Sequence, residues 1–225
     1  MIANEWSRYV QLRESGLKKQ ANQALLTAIE KIEKSQSTEV KEFLLSLCDV
    51  GLGQRPEQRI QHPIYARCIL PLLLNGLKEN SAREITYIIR SRYCGFAKEV
   101  YNAIGDIDSK DLLRAALISD PNNTDVINLL VKNYVEDLYF GAHHLPEALI
   151  VDLGYAQELL QESADFISRH RYQVSAQLIE EYKYYSALYS DYAEWESSRG
   201  TLDFAAWCTL HKREYTWVTA VYYDK

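Results

Sequence analysis

The sequence predicts an all-α protein of stacked antiparallel helical hairpins, solenoid-like or a compact helical array, in a single domain over residues 1–225. Three observations predict it. Apolar residues recur at three- and four-residue steps along nearly the whole chain, the period of one helix face. Only nine glycines and five prolines interrupt the 225 residues, so the periodic runs are long. The gaps between runs carry helix start and stop chemistry, and short turns between helices favour hairpins.

The elements follow in order. Residues 3–14 form a short first helix with Trp6, Tyr9, Val10 and Arg13, broken by Ser15 and Gly16. Leu17 to Lys34 places Ala21, Leu25, Ala28, Ile29 and Ile32 on one face. After a polar turn at Ser35 to Thr38, Val40, Phe43, Leu44 and Leu47 make a helix that ends near Gly51 and Gly53. Residues 53–62 are polar, hold Pro56 and read as a loop. Pro63 opens a helix to Leu77. Ser81-Ala82-Arg83-Glu84 has the capping-box pattern, in which the Ser and Glu side chains take up free backbone N–H groups. It starts a helix carrying Ile85, Ile88, Ile89, Phe96 and Val100 toward Asn102. Asp108 caps the next helix, and Pro121 stops it at Asp120, because the residue before a proline disfavours helix. Val126, Ile127, Leu130, Val131, Tyr134 and Leu138 line one face of a helix over 125–140. A loop from Gly141 to Asp152 follows, then helices over about 154–170 and 173–197. The last helix starts near 202, and the aromatic, β-branched tail 215–223 reads as helix with a strand as the alternative.

Charge is distributed unevenly. Residues 1–112 hold 16 Lys+Arg against 14 Asp+Glu, and residues 113–225 hold 9 against 17. An acidic half disfavours nucleic acid and anionic membrane, which need clustered Lys and Arg, and suits a basic protein partner or simple solubility. Cys48, Cys68, Cys94 and Cys208 lie far apart in apolar helical stretches with no metal spacing. They read as reduced core residues and point to a cytoplasmic protein. No signal peptide and no bilayer-length apolar run is expected.

Tyr93 to Asn123 carries Gly105-Asp106-Ile107-Asp108 between two helices and Ala116-Leu117 before Asp120-Pro121-Asn122-Asn123. This stretch resembles one tetratricopeptide-type helical repeat. Alignment on Pro121 puts Tyr93, Phe96 and Ala97 at the aromatic, large and small positions of the first helix. The spacing is one residue short of the family's, and no second unit recurs at about 34 residues. The alternative is an ordinary helical hairpin with good turn chemistry. The resemblance implies a protein-binding scaffold.

Three constellations are candidates for chemistry. Glu136, Asp137, His143, His144, Glu147 and Asp152 could gather around a metal or serve an enzyme, although their spacing matches no known motif. Glu158, Glu162 and Asp165 stack at helical spacing with Arg169 below, as an acid–base site or as a solvated face with an Asp165–Arg169 pair. Leu178, Tyr182, Tyr185, Tyr189 and Tyr192 step by four and three residues into a seam beside Tyr184, Leu188 and Trp195. Tyrosine has an apolar ring and a polar tip, so the seam suits either an interface or a helix–helix contact.

No phosphate loop or nucleophile motif occurs, so the expectation is a binding protein rather than an enzyme, with no catalytic residue, metal or cofactor. The expected partner is a basic protein, and the concrete version is an immunity- or antitoxin-like inhibitor covering a basic toxin. The expected partner-binding residues are Asp137, Glu158, Glu162, Asp165, Tyr182, Tyr185, Tyr189, Tyr192 and Trp195. An enzyme using the Glu136–Glu147 region and a homo-oligomer joined through the tyrosine seam are the alternatives.

Overall fold

The computed structural model describes residues 2–35, 37–53, 59–198 and 200–217. Among these residues the protein is ten helices and no strand. Its contacts divide it into two compact units, Met1–Pro121 and Asn122–Lys225.

The first unit opens with α1 (Ile2–Glu14) and α2 (Lys18–Glu33), a hairpin turned at Gly16. Ser37 caps α3 (Thr38–Gly51), its Oγ accepting from the Val40 N–H. Helix α4 spans 62–78 as an α-helical turn His62–Ile64, a π-helical turn Tyr65–Ile69 and a straight run Leu70–Lys78. Its buried Ile64, Ile69 and Leu73 meet Ile29 and Leu45 in the core.

Helix α5 (82–104) differs from the continuous helix the periodicity predicts. It runs Ala82–Ser91, passes a π-helical turn Arg92–Phe96 and bends at Gly95 before Ala97–Ile104. Gly95 has φ of 90°, a left-handed conformation that glycine adopts at little cost. The bend lets Phe96 stack on Tyr65 with ring centroids 3.7 Å apart. The stretch with the repeat-like pattern is therefore a bent helix followed by α6 (Ser109–Ser119), which Asp108 caps by accepting from the Lys110 N–H at 2.8 Å.

The capping box is also corrected. The Ser81 side chain caps no backbone N–H and donates instead to Glu84. Glu84 is buried, with Lys41 Nζ 3.4 Å from its carboxylate and Gly76 packed flat against it. A carboxylate drawn inward to an ammonium and a hydroxyl is not free to reach back to the chain.

The second unit is α7 (Thr124–Ala142), α8 (Leu153–Arg169), α9 (Ala176–Ser198) and α10 (Phe204–Leu210). Asn123, Asp152 and Asp203 cap α7, α8 and α10 through side-chain oxygens on free N–H groups. Helix α7 is central: it packs on both α8 and α9, and these two also touch each other. Ile127, Leu130, Val131, Tyr134 and Leu138 are buried on it, the face that the periodicity predicts. The last helix ends at Leu210, and residues 213–217 form neither helix nor strand. The rest of the tail in question, 218–223, lies outside the described residues.

Candidate functional site

The second unit concentrates the charge: residues 122–225 hold 8 Lys+Arg against 16 Asp+Glu. The tyrosine seam of α9 divides into residues spent on the unit's interior and residues near its surface. Tyr189 is buried, 1% exposed, and its hydroxyl donates to the Leu138 carbonyl at 2.9 Å. This corrects its expected role as a surface anchor, because a ring enclosed by α7 cannot meet a partner. Burial raises its hydroxyl pKa well above the ordinary value.

Tyr182, Tyr192 and Trp195 are half-buried and already engaged. Tyr182 donates to the Leu160 carbonyl at 3.0 Å. Tyr192 lies 5.1 Å from both Trp195 and Phe204, and Trp195 donates to the Leu202 carbonyl at 2.8 Å. The segment after α10 closes another side of α9. Buried Asp191 accepts from the Tyr215 hydroxyl and lies 3.3 Å from Arg213 Nε. The Thr216 N–H donates to the Tyr184 hydroxyl at 3.1 Å. Burial, then Asp191, holds the Tyr215 hydroxyl above its usual range.

Tyr185 points another way. Its ring meets Tyr139 edge-on with centroids 6.3 Å apart. Tyr139 and Phe140 occupy the last turn of α7, off the buried stripe, and are 48% and 58% exposed. His143 packs beside both, at 5.9 Å from Tyr139 and 5.3 Å from Phe140, and His144 lies 4.4 Å from His143. The His143 Nδ1–H donates to the Phe140 carbonyl at 2.6 Å, which fixes the ring over the helix end. The exposed Ile150 adjoins the same turn, its N–H donating to the Gly141 carbonyl at 2.9 Å. Glu136 and Asp137 lie one helical turn before Tyr139 and Phe140, so carboxylates border an aromatic face.

The acidic residues of α8 have separate fates. Glu158 is exposed. Glu162 accepts from the Tyr134 hydroxyl at 2.8 Å. The Asp165 carboxylate accepts from Gln161 Nε2 at 2.9 Å, whereas Arg169 Nε donates to the Asp165 backbone carbonyl at 3.2 Å. The expected Asp165–Arg169 side-chain pair is replaced by those contacts, with the guanidinium 5.9 Å from the Phe166 ring centroid. Among the described residues, no three His, Cys, Asp or Glu side chains come together in a way that could hold a metal ion. No helix among them is long and apolar enough to cross a membrane.

Tyr139 and Phe140 are the residues that sequence reasoning passed over. The signal was present: the predicted stripe of α7 runs through Tyr134 and Leu138, so two aromatic residues directly after Leu138 fall off it. Compared with known proteins, the chain matches no protein family, no curated protein and no solved structure.

Proposed function

We propose that the protein is a protein-binding module that docks a basic partner through the end of α7. The observation that carries this reading is the pair Tyr139 and Phe140, exposed side by side on an ordered helix and flanked by His143, Ile150 and Tyr185. Large aromatic side chains left in water at adjacent positions mark interaction surfaces, and Tyr is among the commonest energetic anchors of interfaces. Rigid attachment helps as well. The rings stand on a helix whose other side is core, so little freedom remains to be lost on binding.

The surrounding charge selects the partner. An excess of eight negative charges in residues 122–225 favours a positively charged surface and speeds its approach. An inhibitor that covers a basic toxin, as immunity proteins do, is the concrete form of this reading. Glu158 and Asp137 belong to the steering field, while Tyr139, Phe140 and Tyr185 form the contact.

The test is capture from a lysate of the source organism on immobilised protein at low salt, followed by kinetics with the captured protein. The expected partner is basic, and its association rate falls as salt rises, because exposed charges are screened over about 8 Å at physiological ionic strength. A Glu158→Lys variant slows association further. A captured protein whose association rate is independent of salt would refute the charge-steered reading.

A further inference from the structure

A cleft of about 450 Å³ opens in the first unit, between the N-terminal helix, the end of α3 and the start of α4. That volume falls within the usual range for small-molecule pockets, about 300–1,000 Å³. The α7 surface belongs to the other unit, so the two candidate sites are separate in sequence and chemistry.

The residues of the cleft divide by type. Trp6 and Tyr9 supply aromatic surface, Leu47 and Ile60 supply aliphatic surface, and Arg13 and Arg59 supply two guanidinium groups against the single carboxylate of Glu14. The aromatic wall is held in place from behind. Trp6 lies 5.0 Å from Tyr9 and 5.8 Å from Phe43, and Tyr9 is 3% exposed. Arg13 Nη1 donates to the Tyr9 hydroxyl at 3.0 Å, which ties one cation to that wall.

Two other arginines of the unit are matched with carboxylates on other helices: Arg67 with Glu33 at 2.6 Å and Arg83 with Asp49 at 2.9 Å. Among the described residues, neither Arg13 nor Arg59 has a carboxylate within salt-bridge distance. Each guanidinium therefore keeps donors free in a planar fork suited to a carboxylate, phosphate or sulfonate. An apolar wall beside two such forks selects an amphipathic molecule with a charged end.

We propose that this cleft binds a small organic anion: a ring-sized apolar body against Trp6, with its acidic head toward Arg13 and Arg59. The proposal is independent of the protein-docking role assigned to the second unit.

Two fluorescent probes that share a ring system test it. Anilinonaphthalene sulfonate carries the anionic head, and phenylnaphthylamine lacks it. Titration of the full chain should show one site at which the sulfonate binds at least ten-fold more tightly than the neutral probe. Arg59→Gln, at an exposed position, should leave the melting temperature unchanged, weaken the sulfonate about ten-fold and leave the neutral probe as before. Trp6→Ala should weaken both. A Tyr139→Ala/Phe140→Ala variant should change neither, which separates the cleft from the exposed aromatic face. Equal affinity for the two probes, an unaltered sulfonate affinity in Arg59→Gln, or loss of the signal in the Tyr139/Phe140 variant would overturn the assignment.

Discussion

Tyr189 and Gly141 form a pair whose energetics can be worked out from their geometry. Tyr189 reaches across from α9 so that its hydroxyl sits over Gly141 on α7 and donates to Leu138. A Cβ placed on Gly141 would lie 2.3 Å from that hydroxyl oxygen and 2.7 Å from Val151 Cγ2. Both distances are too short for real atoms. Gly141→Ala would gain up to about 1 kcal/mol in helix propensity, and less at the last turn. It would lose about 1–3 kcal/mol to overpacking. Tyr189→Phe removes the hydroxyl at a cost of about 1 kcal/mol for the hydrogen bond, while the ring stays in place. With the hydroxyl gone, the tightest contact of an alanine methyl group is removed and the next is Val151 Cγ2 at 2.7 Å. The two substitutions should therefore couple. Gly141→Ala should cost at least about 1 kcal/mol less in the Tyr189→Phe background than alone, and the assay is urea unfolding of the four proteins of the cycle. Additivity within about 0.5 kcal/mol would refute the placement of the hydroxyl over Gly141. Tyr189→Ala, by contrast, should cost about 3–5 kcal/mol, the penalty for emptying a core position.

Acid stability follows from three paired carboxylates of the first unit. Hydrogen bonds from Lys31, Arg67 and His62 hold Glu5, Glu33 and Glu99 below their ordinary value. A carboxylate with a depressed folded-state pKa stabilises the fold above its unfolded value, and that contribution is lost as pH falls through the folded value. Melting temperature should accordingly drop below about pH 4.5, and less steeply in a Glu5→Gln/Glu33→Gln/Glu99→Gln variant; parallel curves would contradict the pairing. Thiol accessibility gives another check. Burial pushes Cys48 up to about 12 and Cys68 and Cys208 up to about 11, whereas Cys94 is only half-buried. Ellman's reagent at mildly alkaline pH should label Cys94 first and the other three only on unfolding.

The helices were legible because burial writes a 3.6-residue period into a sequence, and α7 shows it most clearly, with Ile127, Leu130, Val131, Tyr134 and Leu138 all buried as the stripe requires. The bend at Gly95 was not legible: one glycine inside an apolar period is tolerated in a helix, and stacking between Phe96 and Tyr65, about thirty residues apart in sequence, accompanies the break. Ser81 and Glu84 failed as a capping box because Lys41 lies on another helix. Periodicity put the tyrosines of α9 on one stripe, yet it cannot tell which neighbour each of them meets. Tyr189 went to the core because α7 lies over it, and Tyr185 was left against the exposed Tyr139. Arg13 and Arg59 gave no motif at all, since the cleft forms only when α1, α3 and α4 come together.

The proposed contact surface is the exposed aromatic pair at the end of α7. The most direct measurement is the dissociation rate of the captured partner from the wild-type protein and from Tyr139→Ala/Phe140→Ala, with melting temperatures measured in parallel. Both side chains project from the core, so the variant should melt within a few degrees of the wild type. Truncation of interface anchors costs about 2 kcal/mol or more, so the variant should release the partner at least about thirty-fold faster. A variant that keeps its fold and releases the partner at the wild-type rate would show that Tyr139 and Phe140 are not the contact.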